Sequence, residues 1–126
     1  MVGGHPHVIQ PVEVRTDTVT GQRHLVAFSL GNYVSHMTSV NCTGGMMLRM
    51  ILTRDDSGNC ILGHADYSLI WVSRPEISGE RVHRVVPVNF PDSLLKPRER
   101  QLRDTFLNNA RDIFSHHNLD IEEYFF

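Results

Sequence analysis

Apolar and polar residues alternate along the first two thirds of the chain, and then the period changes. Residues 7–15, "HVIQPVEVR", carry Val8, Val12 and Val14 at the two-residue period of a strand. Pro11 has no amide donor, which puts this strand at an edge or kinks it. "TDTVTGQRH" is rich in Thr and Asp with one Gly and reads as a hairpin connection. "LVAFSLGNYV" is apolar up to Gly31-Asn32, a pair that tolerates unusual backbone angles and can bend the chain. "SHMTSVNCTGG" is small and polar, a loop. "MMLRMILTRD" is a strand closed by the turn signal "DDSG". "NCILGHADYSLIWVSR" reads as one long strand or two short ones broken near Gly63, "PEISGE" as a turn and "RVHRVVPVNF" as a short strand.

Near residue 92 the pattern becomes helical. Leu102, Phe106, Ala110, Ile113 and Phe114 recur at three- and four-residue steps and form one apolar face. Arg100, Arg103, Asp104, Asn108, Arg111 and Asp112 fall mostly on the other side. Pro97 suits the first helical turn, and His116 and His117 suit the C-terminal end of the dipole. The tail "NLDIEEYFF" ends in three aromatics, which are expected to dock on the body or on a partner.

This order predicts an α+β fold: mainly antiparallel strands, with a C-terminal helix. The 126 residues form a single domain or a fragment of one, with 1–91 strand-rich and 92–126 the helix and aromatic tail. Hydrophobic residues make up 40%, enough for a core. A net charge of −2 argues against a nucleic-acid partner, because neutralising phosphates needs a basic face. No charged-then-apolar leader and no apolar run of membrane-spanning length is visible, so nothing in the sequence fixes a compartment. Cys42 and Cys60 lie in separate segments without a CxxC spacing. They read as reduced thiols, with a disulfide left open.

The candidate chemistry is at residues 3–14, "GGHPHVIQPVEV". Neutral imidazole is a common ligand of Zn, Mn or Fe, and in a loop His5 and His7 can converge on a metal pair. Two histidines alone do not make a site, since a dinuclear centre needs several further ligands. The competing reading is an ordinary N-terminal segment. His24, His36, His64 and His83 are spread through strands and loops and read as surface or structural residues. Trp71 reads as core or interface, with stacking on a ligand as the alternative.

Gly4, His5, His7, Val8, Gln10, Pro11 and Glu13, followed by Ser29, Leu30, Gly31, Asn32, Tyr33 and Val34, resemble in order and spacing the C-terminal motifs of the CapA-type family. That family is named for poly-γ-glutamate capsule biosynthesis, and it resembles the calcineurin-like metallophosphoesterases. The resemblance implies the C-terminal part of a metallophosphatase-like αββα sandwich. It implies that His5 and His7 each face one ion of a divalent pair (Mn, Zn or Fe), and that Ser29 and Asn32 line the pocket. "SLGN" can equally be a strand-ending turn. The resemblance also implies an anionic envelope polymer or a phosphorylated substrate, and a parent protein at the bacterial cell envelope.

The superfamily's earlier ligand motifs, an Asp-x-His, a Gly-Asp and a Gly-Asn-His, are absent, and Tyr33 stands where the last histidine would be. The expectation is therefore a C-terminal fragment, inactive and without metal on its own, that partners the missing N-terminal part of its domain. Its catalytic residues are not assigned. One alternative is a non-catalytic β-rich module that forms a homo-oligomer through an exposed strand edge. Another is a small metalloenzyme with His5, His7, His36 and His64 assembled across a dimer.

Overall fold

The computed structural model describes residues 1–125 and has the α+β architecture read from the alternation. β1 (Val12–Thr16) and β2 (Arg23–Ala27) form an antiparallel hairpin with Val12 opposite Ala27. Its turn is built by Asp17, whose Oδ1 accepts the amides of Val19 and Thr20 at 2.7 and 2.8 Å. β3 (Gly44–Arg54) and β4 (Cys60–Ser73) form a long antiparallel hairpin, with a bulge where Gly63 and His64 of β4 stand opposite the single residue Ile51. β4 is one strand, and Gly63 lies inside it. β5 (Glu76–Ile77) and β6 (Glu80–Arg81) make a small separate hairpin, turned by Ser78 and Gly79 at φ 54° and 83°. β7 (Arg84–Pro87) then joins β4 antiparallel.

α1 (Pro97–His117) begins where Pro97 predicts. Glu99 accepts the Lys96 amide at 3.1 Å and the Ser73 hydroxyl at 2.7 Å, which ties the helix start to the end of β4. The helix buries Phe106, Leu107, Ala110 and Phe114 against the sheet. Phe114 meets Tyr67 edge-to-face at 4.9 Å, and burial pushes the Tyr67 phenol up to about 12. Gly44 allows the close approach: a Cβ there would lie 2.5 Å from both the Ile70 carbonyl oxygen and the Phe106 ring.

Two expectations about faces are corrected. Leu102 is 39% exposed, whereas Arg103, expected on the solvent side, is 6% exposed. The Phe90–Leu95 segment lies over this part of the helix. Arg103 is satisfied there by the Phe90 carbonyl at 2.9 Å, Asp92 at 2.6 Å and Asp104 at 2.9 Å. The first strand is also shorter than read. It begins at Val12, after a bend over residues 5–8, and Ile9 rather than Val8 enters the core.

The segment after α1 closes the molecule. Asn118 Oδ1 accepts the Val12 amide at 2.9 Å, and Leu119 bonds Val12 and Val14 on the outer edge of β1. β8 (Glu122–Glu123) then pairs parallel with Asp66 and Tyr67 of β4. Tyr124 sits beneath the Arg49 guanidinium at 3.9 Å, and Phe125 lies 5.8 Å from that of Arg111, so these aromatics dock on the body. The last aromatic, Phe126, lies outside the described residues. Both cysteines are free, Cys42 buried and Cys60 exposed. Among the described residues no helix is long and apolar enough to cross a membrane.

Candidate functional site

The histidine motif and the "SLGN" turn lie side by side because backbone bonds bring them together. Gly3 donates to the Ala27 carbonyl at 2.7 Å, and Gln10 donates to the Ser29 carbonyl at 3.1 Å. Ile9 bridges Leu30, and Gly31 bridges Gly45 of β3. Gly31 has φ +72°, and a Cβ there would lie 2.9 Å from both the Gly44 carbonyl oxygen and Ile9, so only glycine fits the turn. Between these anchors His5 and His7 take φ of 100° and 56°, left-handed backbone that costs energy for a residue with a Cβ.

Asn32 is the centre of the arrangement and is 6% exposed. Its Nδ2 donates to the Cys42 carbonyl at 2.9 Å, which fixes the amide's orientation. Oδ1 therefore faces His7 Nδ1 as an acceptor, at 2.8 Å. An acceptor at that distance requires the proton on Nδ1, so Nε2 of a neutral His7 carries the lone pair. An outer partner that holds one ring nitrogen and leaves the other free is the arrangement that orients metal-binding imidazoles. Ser29, 1% exposed, accepts the Gly31 amide on its hydroxyl at 3.3 Å within the turn. His5 is exposed beside His7 in sequence.

Among the described residues no group of three or more His, Cys, Asp or Glu is placed to hold an ion. His5 and His7 bring two exposed imidazoles to this segment, with Asn32 behind His7.

His36 and His64 are engaged elsewhere. His36 meets His83 edge-to-face at 4.6 Å, and burial is the main cause that lowers the pKa of His83. His64 Nε2 lies 2.9 Å from Asp66, which is also bonded by Arg49 in a forked ion pair. The Arg49 guanidinium holds the Asp66 carboxyl below its usual value. The sequence reading missed this triad. Its signal was the register: Arg49 and Asp66 are direct cross-strand partners, and His64 shares their face two residues away.

Against known proteins, the family described as bacterial capsule synthesis protein PGA_cap matches residues 1–37, the span that holds both motifs. No curated protein and no solved structure matches the chain.

Proposed function

We propose that the chain is the C-terminal part of a capsule-synthesis, CapA-type metallophosphatase-like protein, and that residues 3–34 supply the histidine arm of its divalent-metal site. His5 and His7 are the ligands. Asn32 holds His7 in the tautomer that offers Nε2, and the "SLGN" turn holds Asn32. A divalent pair, when bound, neutralises charge at a phosphoryl centre. The remaining ligands come from outside these residues, and the chain alone is inactive. The substrate class is an anionic envelope polymer or a phosphorylated envelope compound. The observation that carries this reading is the His7–Asn32 bond, because an amide fixed by Cys42 leaves Nε2 as the free base.

The test is titration of the purified chain with Mn and Zn, with phosphodiesterase assays, against a His5→Ala/His7→Ala double variant. The same variant is then made in a longer parent protein. The expected result is neither stoichiometric binding nor turnover for the chain, and loss of metal content in the parent variant. Stoichiometric binding with turnover by the chain would overturn the fragment reading and favour a site shared between copies. Unchanged metal content in the parent variant would overturn the ligand assignment.

One observation favours a second reading, a non-catalytic module that self-associates by a strand edge. Met50, Ile51 and Leu52 are 40–58% exposed on β3, the outermost strand of its sheet.

A further inference from the structure

Residues 33–38 lead from the "SLGN" turn towards the buried Cys42 and lie beside the end of β4 as a strap. They carry Met37, whose Sδ is 3.7 Å from Asn32 Nδ2. The same amide nitrogen donates its other proton to the Cys42 carbonyl. Both hydrogens of the Asn32 amide therefore meet the segment that follows it, one at Met37 and one at Cys42. A single bond would let the amide rock about that bond. The second contact holds Oδ1 on His7 and keeps water from competing for a group that is 6% exposed.

The strap has little of its own to hold it in place. Among the described residues, 33–38 make no backbone–backbone hydrogen bond. Within the strap, the Met37 amide donates to the Ser35 hydroxyl at 3.1 Å. Arg74, the first residue after β4, ties it to the sheet. One nitrogen, Nη2, donates to the Ser35 carbonyl at 3.1 Å and also to the Met37 carbonyl. These are charge-assisted bonds to two carbonyls that lie outside any ladder. His36, between them, packs edge-to-face on His83 at 4.6 Å, and the Tyr33 hydroxyl is 3.8 Å from Met47 Sδ, both weaker contacts. Among the described residues Arg74 forms no ion pair with a carboxylate, and its enclosed Nε has no hydrogen-bond partner. A half-buried cation without a counter-charge costs free energy, and the two strap carbonyls are what offset it.

We propose that Arg74 is a positioning residue for His7, acting through Met37 and Asn32. Its Nη2 fixes the backbone of Met37. Met37 and Cys42 together fix the Asn32 amide, and Asn32 Oδ1 holds the proton on His7 Nδ1. Arg74 thus governs which ring nitrogen of His7 is bare, without touching the ring. The proposal deepens the reading above and rests on it for its meaning, because a bare Nε2 matters where His7 is a ligand. The chain of contacts itself needs no metal.

The test uses the full chain without metal. Long-range ¹H–¹⁵N NMR reads both nitrogens of the His7 ring through its carbon-bound protons, at a pH where the ring is neutral. The parent chain is expected to show Nδ1 protonated and Nε2 bare. Arg74→Met keeps an apolar stem and removes the donor. It is expected to lose that signature, with both nitrogens moving to the averaged shifts of an unheld imidazole, while the amide spectrum of β3, β4 and α1 stays in place. Arg74→Lys is expected to retain the signature, since one ammonium can serve both carbonyls as the single Nη2 does. Met37→Leu keeps the volume and removes the sulfur, and is expected to move the His7 shifts the same way by a smaller amount. A merely structural role for Arg74 would lower stability and leave the His7 ring as it is. Unchanged ring shifts in Arg74→Met would overturn the proposal, and so would equal loss in Arg74→Lys. If Arg74→Met does not fold, Met37→Leu decides, and unchanged ring shifts there overturn the proposal equally. Metal content plays no part in this readout, so the ligand assignment and the positioning role can fail separately.

Discussion

The inner and outer halves of the β3–β4 hairpin have the same kind of sequence and opposite fates. In the inner half, Gly44–Met46 and Ala65–Ser73 are all buried. In the outer half, Arg49–Arg54 are all exposed, although Met50, Ile51 and Leu52 are as apolar as the inner residues. The difference lies in what crosses them. α1 lies against the inner half, and β8 and Tyr124 pair with its first residues. The outer half borders an open groove lined by Met1, Val2, Leu25, Met50, Leu52 and Leu62. Burial therefore follows from coverage and not from the strand's own pattern, and an apolar strand left bare marks where cover is due.

Variants should separate the two halves. The largest effect is expected for Phe106→Ala, which empties the contact over Gly44 and should cost about 3–5 kcal/mol by urea unfolding. Gly44→Ala drives a Cβ against the Ile70 backbone and the Phe106 ring, and should cost about 1–3 kcal/mol in the same assay. Asn32→Ala strands the Cys42 carbonyl and frees His7 Nδ1. A loss of about 1–2 kcal/mol is expected. It should be accompanied by a shift of the His7 ring tautomer in ¹⁵N NMR, which a purely structural role for Asn32 would not produce.

A pH series tests the seam between the halves. Arg49 holds the Asp66 carboxyl below its usual 3.8, so the folded state binds fewer protons than the unfolded state across that range. The resulting stability is present above 3.8 and is lost as pH falls through the depressed value. Thermal unfolding from pH 6 downward should show this loss in the parent chain and not in Asp66→Asn. The smallest effect is expected for Leu52→Thr in the outer half, within about 0.5 kcal/mol, because Leu52 is 58% exposed. A larger loss would mean that the outer half is covered in solution.

Local pattern determined much of this protein. Two-residue alternation located the main strands, Asp17 and Gly21 marked the hairpin turn, and Pro97 with the three- and four-residue spacing of Phe106, Ala110 and Phe114 set the helix. The same string carried the paired motifs at His5–His7 and Ser29–Asn32, with the likeness of residues 1–37 to a capsule-synthesis family. Three matters were decided only by tertiary structure. Arg103 went inside and Leu102 outside because the Phe90–Leu95 segment covers one border of the helix stripe. His7 received its tautomer because the Cys42 carbonyl, ten residues past Asn32, orients the amide. The groove beside Met50 and Leu52 opened because residues 1–3 bond the chain at Ala27, whereas β3 bonds it further along, at Leu30 and Asn32. Periodicity fixes where a side chain points relative to its own element. Whether anything meets it there depends on residues far away in the chain, and those contacts form only when the fold is complete.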